Sequence, residues 1–194
     1  MEQSSLAVCA TALTTIAVGI AMITDLRWRR IPNLLTFPAM AVGLLLRTAF
    51  QGWEGLALSL CGLLAGPLLL LLLHGGRGLG MGDIKLAAAV GSILGPPLTL
   101  IAMALTAIAG GVLALASQLR PGGVLADGLV LVAGGIPGLR RLAKRYAVAA
   151  AEPAPMTIPY GVGIGIGSLL TLVVYWCTEH ASWFLWRVTH VASL

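Results

Sequence analysis

Six apolar stretches recur along the chain, at Leu6–Thr24, Leu34–Phe50, Leu56–Leu73, Ile84–Gly95, Leu98–Ser117 and Ile158–Trp176. At 1.5 Å of helix rise per residue the first reaches about 28 Å, close to the ~30 Å hydrocarbon core of a bilayer. The fourth reaches only about 18 Å, so it must thin the bilayer locally or sit among other helices. Only 10% of the residues are charged, against about 25% in a soluble domain. Seven Asp and Glu residues in 194 cannot solvate a soluble surface, and an apolar share of 58% excludes a disordered chain. The expected fold is all-α. It is a polytopic bundle of about six transmembrane helices with a short fourth span, forming one integral-membrane domain over 1–194.

Pro96 and Pro97 separate the fourth stretch from the fifth, since a proline that breaks a helix interior suits a first turn. Charge gives the orientation. With the N-terminus outside, the segments 25–33, 74–85 and 118–157 all face the cytoplasm. They carry ten of the twelve basic residues, leaving only Arg47 and Arg187 outside, as the positive-inside rule requires. The first stretch reads as an anchor inserted N-terminus first: Met1–Ser5 has no basic residue, and the Arg27–Arg30 cluster follows the apolar run. Trp183, Phe184 and Trp186 predict a separate interfacial helix after Glu179. Val124–Ile136, too short for an ordinary span, predicts an interfacial or re-entrant segment in the large cytoplasmic loop.

Cys9, Cys61 and Cys177 lie within spans, with no CxxC, and read as packing residues. His74, His180 and His190 lack ligand spacing, so no metal site and no cofactor is expected. Gly78–Gly82 is glycine-rich but lacks the Gly-Lys-Ser/Thr ending of a phosphate loop. The net charge of +5 is spread along cytoplasmic membrane edges, which suits anionic lipid and not nucleic acid.

Of the seven acidic residues, only Asp25 and Asp83 abut helices at span ends. Asp25 closes the first span and Asp83 opens the fourth, both on the inner side. If those helices touch, the two carboxyls can meet. Two carboxylates in contact hold one proton between them. The ionised member can then activate a water while the protonated one serves the carbonyl oxygen or leaving amine, which is aspartic-protease chemistry. Gly80 and Gly82 would allow close approach of another backbone, and backbone angles closed to other residues. Other readings stay open. Asp83 can simply cap its helix while Asp25 pairs with Arg27 or Arg29 at the lipid surface. Carboxylates in a helix bundle also serve ion-coupled transport, although both lie at one face and not at the midplane.

The segment Asp25-Leu26-Arg27-Trp28-Arg29-Arg30-Ile31-Pro32-Asn33-Leu34-Leu35-Thr36 resembles the D-x-R-x-x-x-I-P-N-x-x-T signature of type IV prepilin peptidases. Gly80-Met81-Gly82-Asp83 resembles that family's GxGD segment, and Pro159-Tyr160-Gly161 with Gly165 and Gly167 resembles its closing motif. The resemblance implies Asp25 and Asp83 as the catalytic pair. It also implies cleavage of a basic leader from prepilins or pseudopilins at the cytoplasmic face of a bacterial inner membrane. Partners would be that substrate, membrane lipid, and pilus or type II secretion assembly machinery. Long members carry an N-terminal domain with two CxxC pairs, and some methylate the new terminus. This chain opens on its first span, so the resemblance implies peptidase activity without implying methylation, and is nearest the tight-adherence (Flp) branch. A non-catalytic assembly factor keeping the fold is a further alternative.

Supporting roles follow for six residues. Pro32 excludes helix at Ile31 and fixes the turn out of the first span, and Asn33 is expected to cap the second. Gly80 and Gly82 are expected in the active-site backbone. Lys85 has three open roles: tuning Asp83, snorkelling to lipid, or meeting an acidic group on the substrate. Arg27 is equally open.

Overall fold

The computed structural model describes residues 2–74, 80–118 and 160–191. Five helices make up these residues: α1 (Glu2–Trp28), α2 (Asn33–His74), α3 (Met81–Leu94), α4 (Pro96–Gln118) and α5 (Tyr160–Val191). Four of them, α1, α2, α4 and α5, are long and apolar enough to cross a membrane. The chain divides into two units, residues 1–109 with 159–194, and residues 110–158. The expected loop segment Val124–Ile136 lies outside the described residues.

A straight helix of 42 residues would run about 63 Å, but α2 does not run straight. Gly52 breaks it, with φ 61° and ψ −139°, a conformation that is essentially glycine's alone. Beyond it the chain reverses: a Cβ on Gly55 would collide with the Arg47 carbonyl. The arm before Gly52 runs alongside α3 in the same direction, with Lys85 against Asn33 at one end and Arg47 against Ile93 and Leu94 at the other. The returning arm runs the opposite way, bringing Gly62 onto Gly91 and Gly66 onto Ala87. Within α2, then, the predicted stretches 34–50 and 56–73 are two arms of a hairpin.

That hairpin encloses α3, whose residues Leu86–Leu94 are all buried. Its small residues explain why. Lipid tails offer helices no hydrophobic incentive to associate, so close backbone approach and dispersion must hold them. Gly62 and Gly91 meet backbone to backbone, and a Cβ on either would run into the other's carbonyl. Ser59 Oγ adds a hydrogen bond to the Ser92 carbonyl at 2.6 Å. At its C-terminus α3 ends on Gly95, whose φ is 72° and whose N–H bonds to the Gly91 carbonyl. The Arg47 guanidinium donates to the orphan carbonyls of Ile93 and Leu94. As expected, α4 starts at once at Pro96.

Helix α5 packs antiparallel to α1. Trp176 Nε1 donates to Thr11 Oγ1 at 3.1 Å at one end, Gly165 receives the Met22 side chain in the middle, and Gly161 meets Asp25 at the other. Val18, Ala21, Leu70, Leu86, Val90, Met103 and Ile164 form the shared core. Two expectations change here. The residues after Glu179 continue α5 to Val191 instead of starting a separate helix, because no glycine or proline interrupts 168–191. Cys9, Cys61 and Cys177 are exposed on outer helix faces and are not packed inside.

Candidate active site

Asp25 lies in the last turn of α1. Helix α1 ends because Arg29 turns left-handed, at φ 52°, with its N–H bonded back to the Asp25 carbonyl at 2.9 Å. Glycine usually fills such a position, and an L-residue there costs about 1 kcal/mol. Ile31 then precedes Pro32, which excludes helical backbone, and the Pro32 carbonyl accepts the N–H of Leu35 to open α2. This tight connection brings the start of α2 over the start of α3.

Asp83 is the third residue of α3. Its Oδ2 accepts the Gly80 N–H at 3.1 Å, and its own N–H bonds to the Gly80 carbonyl at 3.1 Å. The helix-capping role left open by the sequence is therefore present, and it fixes the orientation of the carboxyl. Both aspartates are buried, Asp25 at 7% and Asp83 at 8% exposure. They line one cavity of about 750 Å³, together with Arg29, Ile31, Pro32 and Gly82. Helices α1 and α3 do meet at one end, as the sequence required for the two carboxyls to share a site.

The environment of Asp25 comes from a third helix. The backbone N–H groups of Gly161 and Val162 face its carboxyl. These are among the first N–H groups of α5, which lack partners within the helix and carry the positive end of its dipole. Oδ2 of Asp25 is buried with no hydrogen-bond partner among the described residues. A Cβ on Gly161 would stand 2.8 Å from that oxygen, so only glycine lets the α5 terminus come this close. An orphaned carboxylate oxygen beside a cavity is what a group waiting for a proton or a water needs.

The other expected site residues divide. Gly80, Gly82, Pro32 and Asn33 line the cavity. Gly80 and Gly82 are there for close approach. A Cβ on Gly80 would lie 3.0 Å from Asp83 Oδ2, and one on Gly82 would lie 3.0 Å from Ile31 Cβ. The expected unusual backbone angles are not found: among the described residues only Gly52 and Gly95 are positive-φ glycines. Asn33 does not cap α2. Its Oδ1 accepts Lys85 Nζ at 2.9 Å, and that ammonium also sits 5.1 Å from the Phe37 ring centroid. Lys85 is thus a tie between α3 and α2, outside the cavity lining. Arg27 is exposed and stacks on Trp28 at 5.4 Å. The basic residue whose charge reaches Asp25 is Arg29.

Sequence reasoning gave no site role to Ile31 or Gly161, and offered Arg29 only alongside Arg27 as a partner for Asp25. Arg29 and Arg27 are chemically alike, and only the left-handed turn decides which faces the cavity. Gly161 belongs to the Pro159-Tyr160-Gly161 motif, but its role comes from the α1–α5 pairing, which local sequence does not encode.

Comparison with curated proteins and with solved structures gives no match. The profile of the type IV leader peptidase family matches residues 12–115, over half of the chain. That stretch contains both aspartates, the connection that ends α1 and the hairpin that encloses α3, and the chain belongs to the type IV leader peptidase family.

Proposed function

We propose that the protein is an intramembrane aspartic endopeptidase that removes the basic leader from type IV prepilins or pseudopilins. The observation that carries this reading is the single cavity onto which both buried aspartates open. In the proposed reaction the ionised carboxyl takes a proton from a water as that water attacks the scissile carbonyl. The protonated carboxyl gives its proton to the carbonyl oxygen. When the resulting diol collapses, one hydroxyl proton returns to the second carboxyl and the first delivers its proton to the leaving amine. The pair ends as it began.

The proposed setting is a bacterial inner membrane crossed six times, by α1, both arms of α2, α3, α4 and α5. The N-terminus is outside and the aspartates are at the cytoplasmic face. The charge asymmetry of the sequence supports this orientation. Anionic lipid and the pilus or secretion assembly machinery are the proposed surroundings, in the tight-adherence branch.

The test is cleavage of a prepilin by purified protein in detergent, with the mature N-terminus read by mass spectrometry. Asp25→Asn and Asp83→Asn should each remove cleavage almost completely. Unimpaired cleavage by either variant would end the assignment of the pair. A chelator should leave the reaction intact, since the proposed chemistry uses only carboxyls and water.

A further inference from the structure

Ile31 belongs to neither aspartate-bearing helix, yet it touches the neighbour of each aspartate. Its Cβ lies 3.0 Å and its carbonyl oxygen 3.5 Å from where a Cβ on Gly82 would stand, and Gly82 immediately precedes Asp83. At the other end of the same side chain, Cδ1 lies 3.0 Å from where a Cβ on Gly161 would stand. That same point is 2.8 Å from Asp25 Oδ2 and 3.1 Å from Asp25 Cβ. One isoleucine side chain therefore spans from the backbone before Asp83 to the backbone that holds Asp25.

Both contacts are with glycine, so no flexible side chain intervenes to absorb a displacement. The spanning residue is itself stiff. A β-branched side chain has little freedom at χ1, and Pro32 restricts the Ile31 backbone to extended angles. The connection is held on one side by the Arg29 turn onto Asp25. On the other side it is held by the Lys85 bond to Asn33.

We infer that Ile31 is a positioning residue, a rigid spacer between Gly82 and Gly161 that sets the separation of the Asp25 and Asp83 carboxyls. Its consequence for catalysis rests on the peptidase reading above, but the separation can be read without it. In a background carrying Cys9→Ala, Cys61→Ala and Cys177→Ala, Asp25→Cys and Asp83→Cys report the distance through their rate of oxidative crosslinking in the full-length protein. Removing the spacer with Ile31→Ala lets the two backbones close in, and crosslinking should accelerate by about fivefold or more, since a disulfide forms only within a narrow Cβ separation. Ile31→Val, which loses only the Cδ1 contact to Gly161, should fall between. It also keeps the test open if the alanine variant does not fold.

In the cysteine-free protein with both aspartates intact, Ile31→Ala should lower kcat for prepilin cleavage by about tenfold or more, leaving KM within about threefold. Unchanged crosslinking in both variants overturns the spacer. So does a rise in KM with kcat intact, which would make Ile31 a substrate contact. If the wild-type protein cleaves no prepilin while crosslinking still shifts, the spacer stands and the peptidase reading fails.

Discussion

The Gly80 amide donates to Asp83 Oδ2 across 3.1 Å, and a Cβ at Gly80 would press within 3.0 Å of the same oxygen. One proposed catalytic carboxyl is therefore aimed by the first turn of its own helix, against a position where a Cβ would push on it. Gly80→Ala should displace the carboxyl and reduce kcat by about tenfold. The thermal midpoint should change little, since Gly80 sits in extended backbone open to any residue, at φ −74° and ψ 145°, and is exposed. Steady-state cleavage assays with parallel thermal unfolding check both halves.

Gly161 should be less tolerant still. An alanine Cβ there would meet Asp25 Oδ2 at 2.8 Å and Ile31 Cδ1 at 3.0 Å, so either Asp25 or the start of α5 must move. Gly161→Ala should lose about a hundredfold in kcat. Gly19→Ala is the matched control, because nothing lies within 4 Å of that position, and it should cleave at the wild-type rate. Equal losses in the two variants would show that the effect is not local to Asp25.

The Lys85–Asn33 tie should behave as one unit. Lys85→Met and Asn33→Ala each break the 2.9 Å bond and should each cost about 1 kcal/mol of stability. The double variant should cost little more than either single one, a coupling that a double-mutant cycle measures. Additive losses would mean that the two side chains act separately. A tie, unlike a substrate contact, also predicts that shortening the substrate's acidic side chains leaves the Lys85→Met effect unchanged.

Arg47 stands at the other end of α3 and should separate stability from chemistry. Its guanidinium serves the Ile93 and Leu94 carbonyls, which sit at the negative end of the helix dipole. Hydrogen bonds from a charged donor are worth about 1.5–3 kcal/mol, so Arg47→Met should lower the unfolding midpoint measurably. Because Arg47 lies outside the aspartate cavity, kcat of the folded fraction should stay unchanged.

Much of this arrangement was legible in the sequence, for identifiable reasons. Scarce charge narrows the field to Asp25 and Asp83, the two acidic residues at the ends of expected spans, while leaving helix capping and surface pairing as equal readings. Pro96, Pro97 and the run of apolar residues mark helices that α3 and α4 follow closely. What the sequence does not carry is pairing between distant segments. Asn33 is a good capping residue by local rules, yet Lys85, far along the chain, claims its side-chain oxygen. Arg27 and Arg29 are chemically alike, and what separates them is that Arg29 itself takes the left-handed backbone that ends α1. Gly161 and Ile31 gain their roles from contacts between α5, the α1–α2 connection and α3, and no periodicity within one segment encodes those.

The break at Gly52 has a consequence for biogenesis. With 14 residues, α3 is about 21 Å long, short of what a helix needs to partition into lipid unaided. Its surroundings must be supplied by α2, and only after α2 has doubled back do Gly62 and Gly66 reach Gly91 and Ala87. The hairpin is therefore expected to form first and to carry Asp83 into place, an order that depends on the break at one glycine. Gly52→Val should accordingly show itself as lost membrane yield and rapid degradation, before any defect in the chemistry of the molecules that survive.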